Sequence, residues 1–186
     1  MLENLINLVK ENAGNAIINN PAIPNDRNHE AIETTTTSIT SSLQNMLGGG
    51  GMKDVLNLFG NQDGDINNNP VTQQVSGNVI QDLMHKFNLD QGSASNIAGG
   101  LVPDVLKNLV NKTNDPNDGS FDIQGIFNSL SGGKTGGMNI QGLLDKVKTS
   151  GFDRDGDGDT DLQDLMSVFK GGGGGVLDGV KSLFGR

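Results

Sequence analysis

The segment FDRDGDGDTDLQDLMSVF, residues 152–169, holds the densest chemistry in the chain. Asp153, Asp155, Asp157, Asp159 and Asp161 stand at alternate positions, and Asp164 follows. Side chains at alternate positions of a curling loop converge on one point, and an all-oxygen set suits a hard divalent cation. Gly158 stands where such a loop must turn sharply and a Cβ would be unwelcome. Residues 153–164 contain six Asp and one Arg, a net −5 within a chain of formal net charge −9. Carboxylates this dense repel one another unless a cation lies among them. The expected cofactor is Ca²⁺.

The spacing matches the 12-residue EF-hand loop. Asp153, Asp155 and Asp157 take positions 1, 3 and 5, and Gly158 takes position 6. Asp159 offers its backbone carbonyl at position 7. Asp161, at position 9, ligates directly or through water, and Asp164 stands at position 12. Leu162, Leu165, Met166 and Phe169 then mark an exiting helix. Position 12 departs from the usual Glu. The shorter Asp must approach more closely, which weakens affinity or relaxes discrimination against magnesium. Thr160 stands at position 8, where an aliphatic residue usually links paired loops. The loop resembles the dockerin type of EF-hand, which also uses Asp at position 12, and Gly151-Phe152 would interrupt an entering helix. No second dockerin loop is evident, so a cohesin partner does not follow. The competing reading is a solvated acidic turn.

A second segment, NDPNDGSFDIQG (114–125), fits the same frame less well. Asn114, Asp118, Gly119, Phe121 and Asp122 take positions 1, 5, 6, 8 and 9, but Pro116 and Gly125 occupy two main ligand positions. A turn closed by Asp and Asn side chains, with Asp122 starting the next helix, is the stronger expectation there. QDGDIN (62–67) fits worse. Gly133-Lys134-Thr135 has the end of a phosphate-binding P-loop, but Asn128 stands where its first Gly belongs and a helix precedes it. A flexible Gly linker is expected instead. His29 and His85 have no nucleophile at suggestive spacing, so no enzyme is expected.

Composition narrows the rest. Of 186 residues 33% are hydrophobic and 28 are Gly, enough for a modest core. Cys is absent, which excludes disulfides and thiolate chemistry. The acidic balance leaves no basic footprint for nucleic acid. No apolar run is long enough for an integral membrane segment, and MLENLINLVKENAG is no secretory signal. Cytoplasmic location is the default expectation, with export by a non-classical route left open.

The elements that must position the loop read as helices throughout. Leu2, Leu5, Ile6 and Val9 follow helical spacing. An Asn- and Pro-rich loop covers 19–30, and a helix is expected from Ala31 to Leu47 despite the poor propensity of its TTTTS centre. Gly48–Gly51 form a break, and Val55–Phe59 a short helix or irregular turn. The strongest helix runs from Val71 to Phe87. Asp90 or Ser93 caps a short helix ending at Gly99–Gly100, and a separate helix follows from Leu101 to Val110 with Pro103 in its first turn. The sequences 121–133, 138–151 and 160–172 form a weak repeat, each a polar starter, an apolar–Gln step, apolar residues and, at or near its end, Gly. The expected architecture is all-α: an N-terminal helical region (1–59), a helical core (60–131), and a Gly-linked C-terminal region (132–186) carrying the loop. Such short helices need a bundle, a homo-oligomer or a protein partner to cover their apolar faces.

Residues 69–116, with FNLDQGSASNIAGGL between two amphipathic helices and a DP/DG turn after them, resemble the YidB-like family, a domain of unknown function (DUF937). The resemblance implies a helical fold and, since that family has no defined activity, carries over no functional residue. The expected role is calcium binding that orders the C-terminal helices. The alternative is a structural or self-assembling protein in which calcium is only a staple.

Overall fold

The computed structural model describes residues 2–60, 65–115 and 117–150. Among them there is no strand, and the fold is an all-α small bundle. Seven α-helices follow in order: α1 Leu2–Asn12, α2 Asn28–Gly48, α3 Met52–Gly60, α4 Pro70–Phe87, α5 Gln91–Asn114, α6 Ile123–Leu130 and α7 Ile140–Ser150. A single π-helical turn, Gly14–Ile18, and two 3₁₀ turns, Asn25–Arg27 and Ile66–Asn68, join them. No described helix is long and apolar enough to cross a membrane.

Helix α4 lies between α2 and α5, and α1 covers α2 and α5. Its start is fixed locally. Asn69 Oδ1 accepts the Val71 N–H at 2.9 Å, and Pro70 at the first helical position has no N–H to satisfy. Asn88, in the left-handed region at φ 53°, ends it. Val71, Val75, Val79 and Leu83 are fully buried along one face. Arg27 clasps its far end: the guanidinium lies 4.3 Å from the Phe87 ring centre and donates to Glu30 Oε2 at 2.8 Å and to the Lys86 carbonyl at 3.1 Å.

The break expected at Gly99–Gly100 does not occur. Helix α5 runs unbroken through Gly99, Gly100 and Pro103. Ala94, Ile97, Ala98, Leu101, Val102, Val105, Leu106, Leu109 and Val110 are all buried and continue one stripe across the glycines. A Gly costs a helix about 1 kcal/mol relative to Ala, which burial of several large side chains on one stripe outweighs. Asp90 supplies the cap, accepting from Ser93 N–H at 3.0 Å and the Ser93 hydroxyl at 2.6 Å.

The threonine run is helical as expected, and α2 begins at Asn28, within the expected loop. Thr34, Thr35, Thr36, Ser38 and Ser42 are buried. Three of these hydroxyls donate back one turn: Thr34 to the Glu30 carbonyl at 2.7 Å, Thr36 to Ile32 at 2.8 Å and Ser42 to Ser38 at 2.7 Å. Asn78 of α4 donates to Ser42 Oγ at 2.8 Å. The hydroxyls of Thr35, Ser38 and Thr72 are buried without a protein partner.

One apolar core runs from Leu5 of α1 to Leu144 of α7, so all three sequence segments contribute to it. Phe59 and Phe127 meet edge to face in it, with ring centres 5.6 Å apart. Leu83→Ala should cost about 2–5 kcal/mol, read from urea unfolding. Thr35→Val, which removes an unpaired buried hydroxyl at nearly constant volume, should instead stabilise by about 1 kcal/mol in the same measurement.

Candidate functional site

Asp153, Asp155, Asp157, Asp159, Asp161 and Asp164 all lie outside the described residues. The two loop–helix segments before them are described, apart from residue 116, and their sequences share a register with the acidic loop. Gly119 and Gly136 stand in the frame where Gly158 does. Asp122 and Asn139 match Asp161, Ile123 and Ile140 match Leu162, and Gln124 and Gln141 match Gln163. Gly125 and Gly142 match Asp164, and the buried pairs Ile126-Phe127 and Leu143-Leu144 match Leu165-Met166.

The first unit, loop 114–122 and α6, is closed by hydrogen bonds and an ammonium. Asp122 caps α6, its Oδ2 accepting the Gly125 N–H at 2.6 Å. Asp118 Oδ1 accepts the Ser120 N–H at 2.9 Å and the Ser120 hydroxyl. Its other oxygen faces Lys112 Nζ at 3.3 Å. The Ser120 hydroxyl and N–H, and then Lys112, hold the Asp118 carboxyl below its ordinary pKa. The Ser120 carbonyl, at the seventh frame position, accepts from Asn4 Nδ2 at 2.7 Å. Asn114, at the first, donates its amide to the carbonyls of Phe59 at 3.0 Å and Val110 at 2.8 Å. The segment is therefore a turn ending in a helix cap, as its missing ligands led us to expect, and the Lys112 ammonium supplies positive charge beside its central carboxylate.

The second unit, residues 131–150, corrects the expectation of a flexible linker. Ser131 and Thr135 are buried, at 9% and 0% exposure. Their hydroxyls meet at 3.0 Å, and the Thr135 N–H donates to Ser131 Oγ at 3.1 Å. These are the first and fifth frame positions. Gly132 and Gly133, at φ 63° and 86°, make the left-handed turn that lets the chain fold back. Gln124 of α6 reaches across, donating to the Thr135 carbonyl at 3.2 Å and accepting the Ile140 N–H at 3.0 Å. Asn139 caps α7 through the Gly142 N–H at 2.8 Å. Thr135, the last residue of the P-loop-like Gly133-Lys134-Thr135, thus lies in a buried turn with its hydroxyl against Ser131.

Sequence reasoning missed Lys112, Gln124 and the Ser131–Thr135 pair. Gln recurrence in the three repeats was the one available signal; Lys112 and Asp118 are six residues apart and Ser131 and Thr135 four, but which neighbouring polar groups meet had to be seen. Elsewhere, His29 Nδ1 lies 3.5 Å from Glu33 Oε1 in an exposed ion pair. His85 lines a solvent-open groove of about 570 Å³ with Ile6, Glu33, Thr37, Asp82 and Lys86. Among the described residues no three His, Asp or Glu side chains gather as a metal set. No family model, curated protein or solved structure matches the chain.

Two predictions follow from this geometry. Gln124→Ala should cost about 2 kcal/mol, from two lost hydrogen bonds, in urea unfolding. Because the folded Asp118 pKa is lowered, its stabilisation is present above the ordinary carboxylate value of about 3.9 and is lost as pH falls through the lower folded value. Asp118→Asn should therefore make the acid limb of a stability–pH curve shallower while leaving its neutral plateau flat.

Proposed function

We propose that this protein binds calcium through residues 153–164, and that the ion orders this loop and the helix sequence after it. The side chains of Asp153, Asp155, Asp157 and Asp164 and the carbonyl of Asp159 would supply oxygens, with Asp161 beside them. The observation that carries the reading is the shared register. Two described copies of the frame are closed turns that run into a capped helix, one beside an ammonium and one around a hydroxyl pair. The acidic copy has carboxylates at the first, third, fifth and twelfth positions, and a divalent cation would balance that charge. The preceding helix, α7, ends at Ser150, and its Ile140, Leu143 and Leu144 are buried in the core. A loop following an anchored helix has one end fixed, which lowers the entropy lost on closing around an ion.

We read the role as binding rather than catalysis. The helices α4 and α5 are compatible with the YidB-like resemblance, which we retain as the proposed family. A purely structural use of the ion is favoured by one observation: both described copies use their loop to fix helix against helix. Light scattering with and without chelator separates the readings. A chain that assembles regardless of calcium indicates a staple, and a monomer that changes shape indicates a sensor.

Calcium added to the metal-free full-length protein should release or absorb heat in calorimetry and raise protection around 153–169. Asp153→Ala together with Asp157→Ala should abolish both effects. No response of the wild type at millimolar calcium would overturn the proposal.

A further inference from the structure

The polar side of α1 carries Asn4, Asn7 and Glu11, and the π-helical turn continues the row with Asn15. Steps of three or four residues put these side chains on one helix face. Across the seam, α5 presents Asn96, Gly100, Asp104, Asn108 and Lys112, about one per turn. The two helices run in opposite directions. Asn108 Nδ2 donates to Asn12 Oδ1 at 2.9 Å. Asn4 and Lys112 border one hollow of about 180 Å³, and Asn15, Asn96 and Gly100 border another of about 550 Å³. Glu11 lines both and joins them into one groove along the α1–α5 seam. Among the described residues, the side chains of Asn7, Glu11, Asn15, Asn96 and Asp104 have no hydrogen-bond or ion-pair partner.

We propose that this groove binds an extended peptide segment that carries lysine or arginine. The spacing suits an extended chain. A step of four residues along a helix rises about 6.0 Å, and alternate residues of a strand are about 6.7 Å apart. A row of helical side chains therefore meets every second peptide group. An Asn amide both donates and accepts, so it matches a peptide N–H and C=O together. Gly14 and Gly100 leave open space where a Cβ would stand, which lets a second backbone come close. From Asn96 to Lys112 the groove follows about 24 Å of helix, enough for about seven extended residues. Charge selects the side chains. Glu11 and Asp104 border the larger hollow, and no described Lys, Arg or His does. Lys112, at the other end, is engaged by Asp118 at 3.3 Å. The cations of the peptide therefore lie toward the Asn96 end. This inference is independent of the calcium reading.

The test is an NMR titration of the full-length protein that follows its Asn side-chain amides. The probes are a blocked heptapeptide of alternating Ser and Lys, its Ser and Glu counterpart, and putrescine. The basic peptide should shift the Asn7, Asn15 and Asn96 amide signals to saturation, and the acidic peptide should leave them unmoved. Glu11→Gln with Asp104→Asn, both at exposed positions, should weaken the basic peptide about tenfold, the combined effect of two exposed ion pairs. Gly100→Leu fills the groove and raises helix propensity, so it should abolish binding without loss of helicity. Putrescine should bind more weakly than the basic peptide. Equal shifts by the two peptides, or binding retained in Gly100→Leu, would overturn the proposal. Putrescine binding as tightly as the peptide makes the groove a site for amines and overturns the peptide reading. Shifts confined to residues 153–164 place the basic peptide on the acidic loop and overturn the groove.

Discussion

Burial of one stripe on α5, from Ala94 to Val110, governs the rest of the structure. It holds α5 as a single helix through two glycines and a proline. It also sets α4 between α5 and α2 and provides a surface for α1. The last turn of α5 carries Lys112 and Asn114 to the start of the first loop–helix unit. The position of that loop therefore depends on how far α5 extends.

The two described tandem units share one physical problem. A chain that turns back tightly into a helix brings polar groups together at the turn, and these must be neutralised or bonded. The first unit meets this with Ser120 and the Lys112 ammonium, and the second with a buried Ser131–Thr135 pair and the reach of Gln124. In the third the same frame carries a net −5, a charge a divalent cation would balance. On this view the proposed calcium site would be a variant of a structural joint. The ion would take a part that hydrogen bonds and an ammonium take elsewhere in the chain.

The α2–α4 seam shows the opposite economy. Hydroxyls replace larger apolar groups along α2, and several are bonded back to their own helix. Small side chains allow close approach of two backbones, but unpaired buried hydroxyls at Thr35, Ser38 and Thr72 reduce what that contact contributes. The Arg27 clasp on Phe87 and Lys86 secures one end of the seam.

Much of the helical pattern was legible because amphipathic spacing and caps are local: Val71–Phe87, the Asp90 cap and the apolar faces of 123–130 and 140–144 could be read directly. The acidic loop could be proposed as a cation site without the fold because its residue types and spacing lie within twelve consecutive positions. Continuity of α5 was not, since Gly and Pro are unfavourable locally and only the stripe shared by both halves reverses the sign. Nor was the order of the 131–137 turn, whose glycines read as freedom until Gln124 and the buried hydroxyls constrain them. Sequence alone determined several helix starts, such as those of α4 and α6, and where charge concentrates, because these are set by near neighbours. Tertiary structure decided which breaks persist and which polar groups meet, because those depend on burial against residues far along the chain.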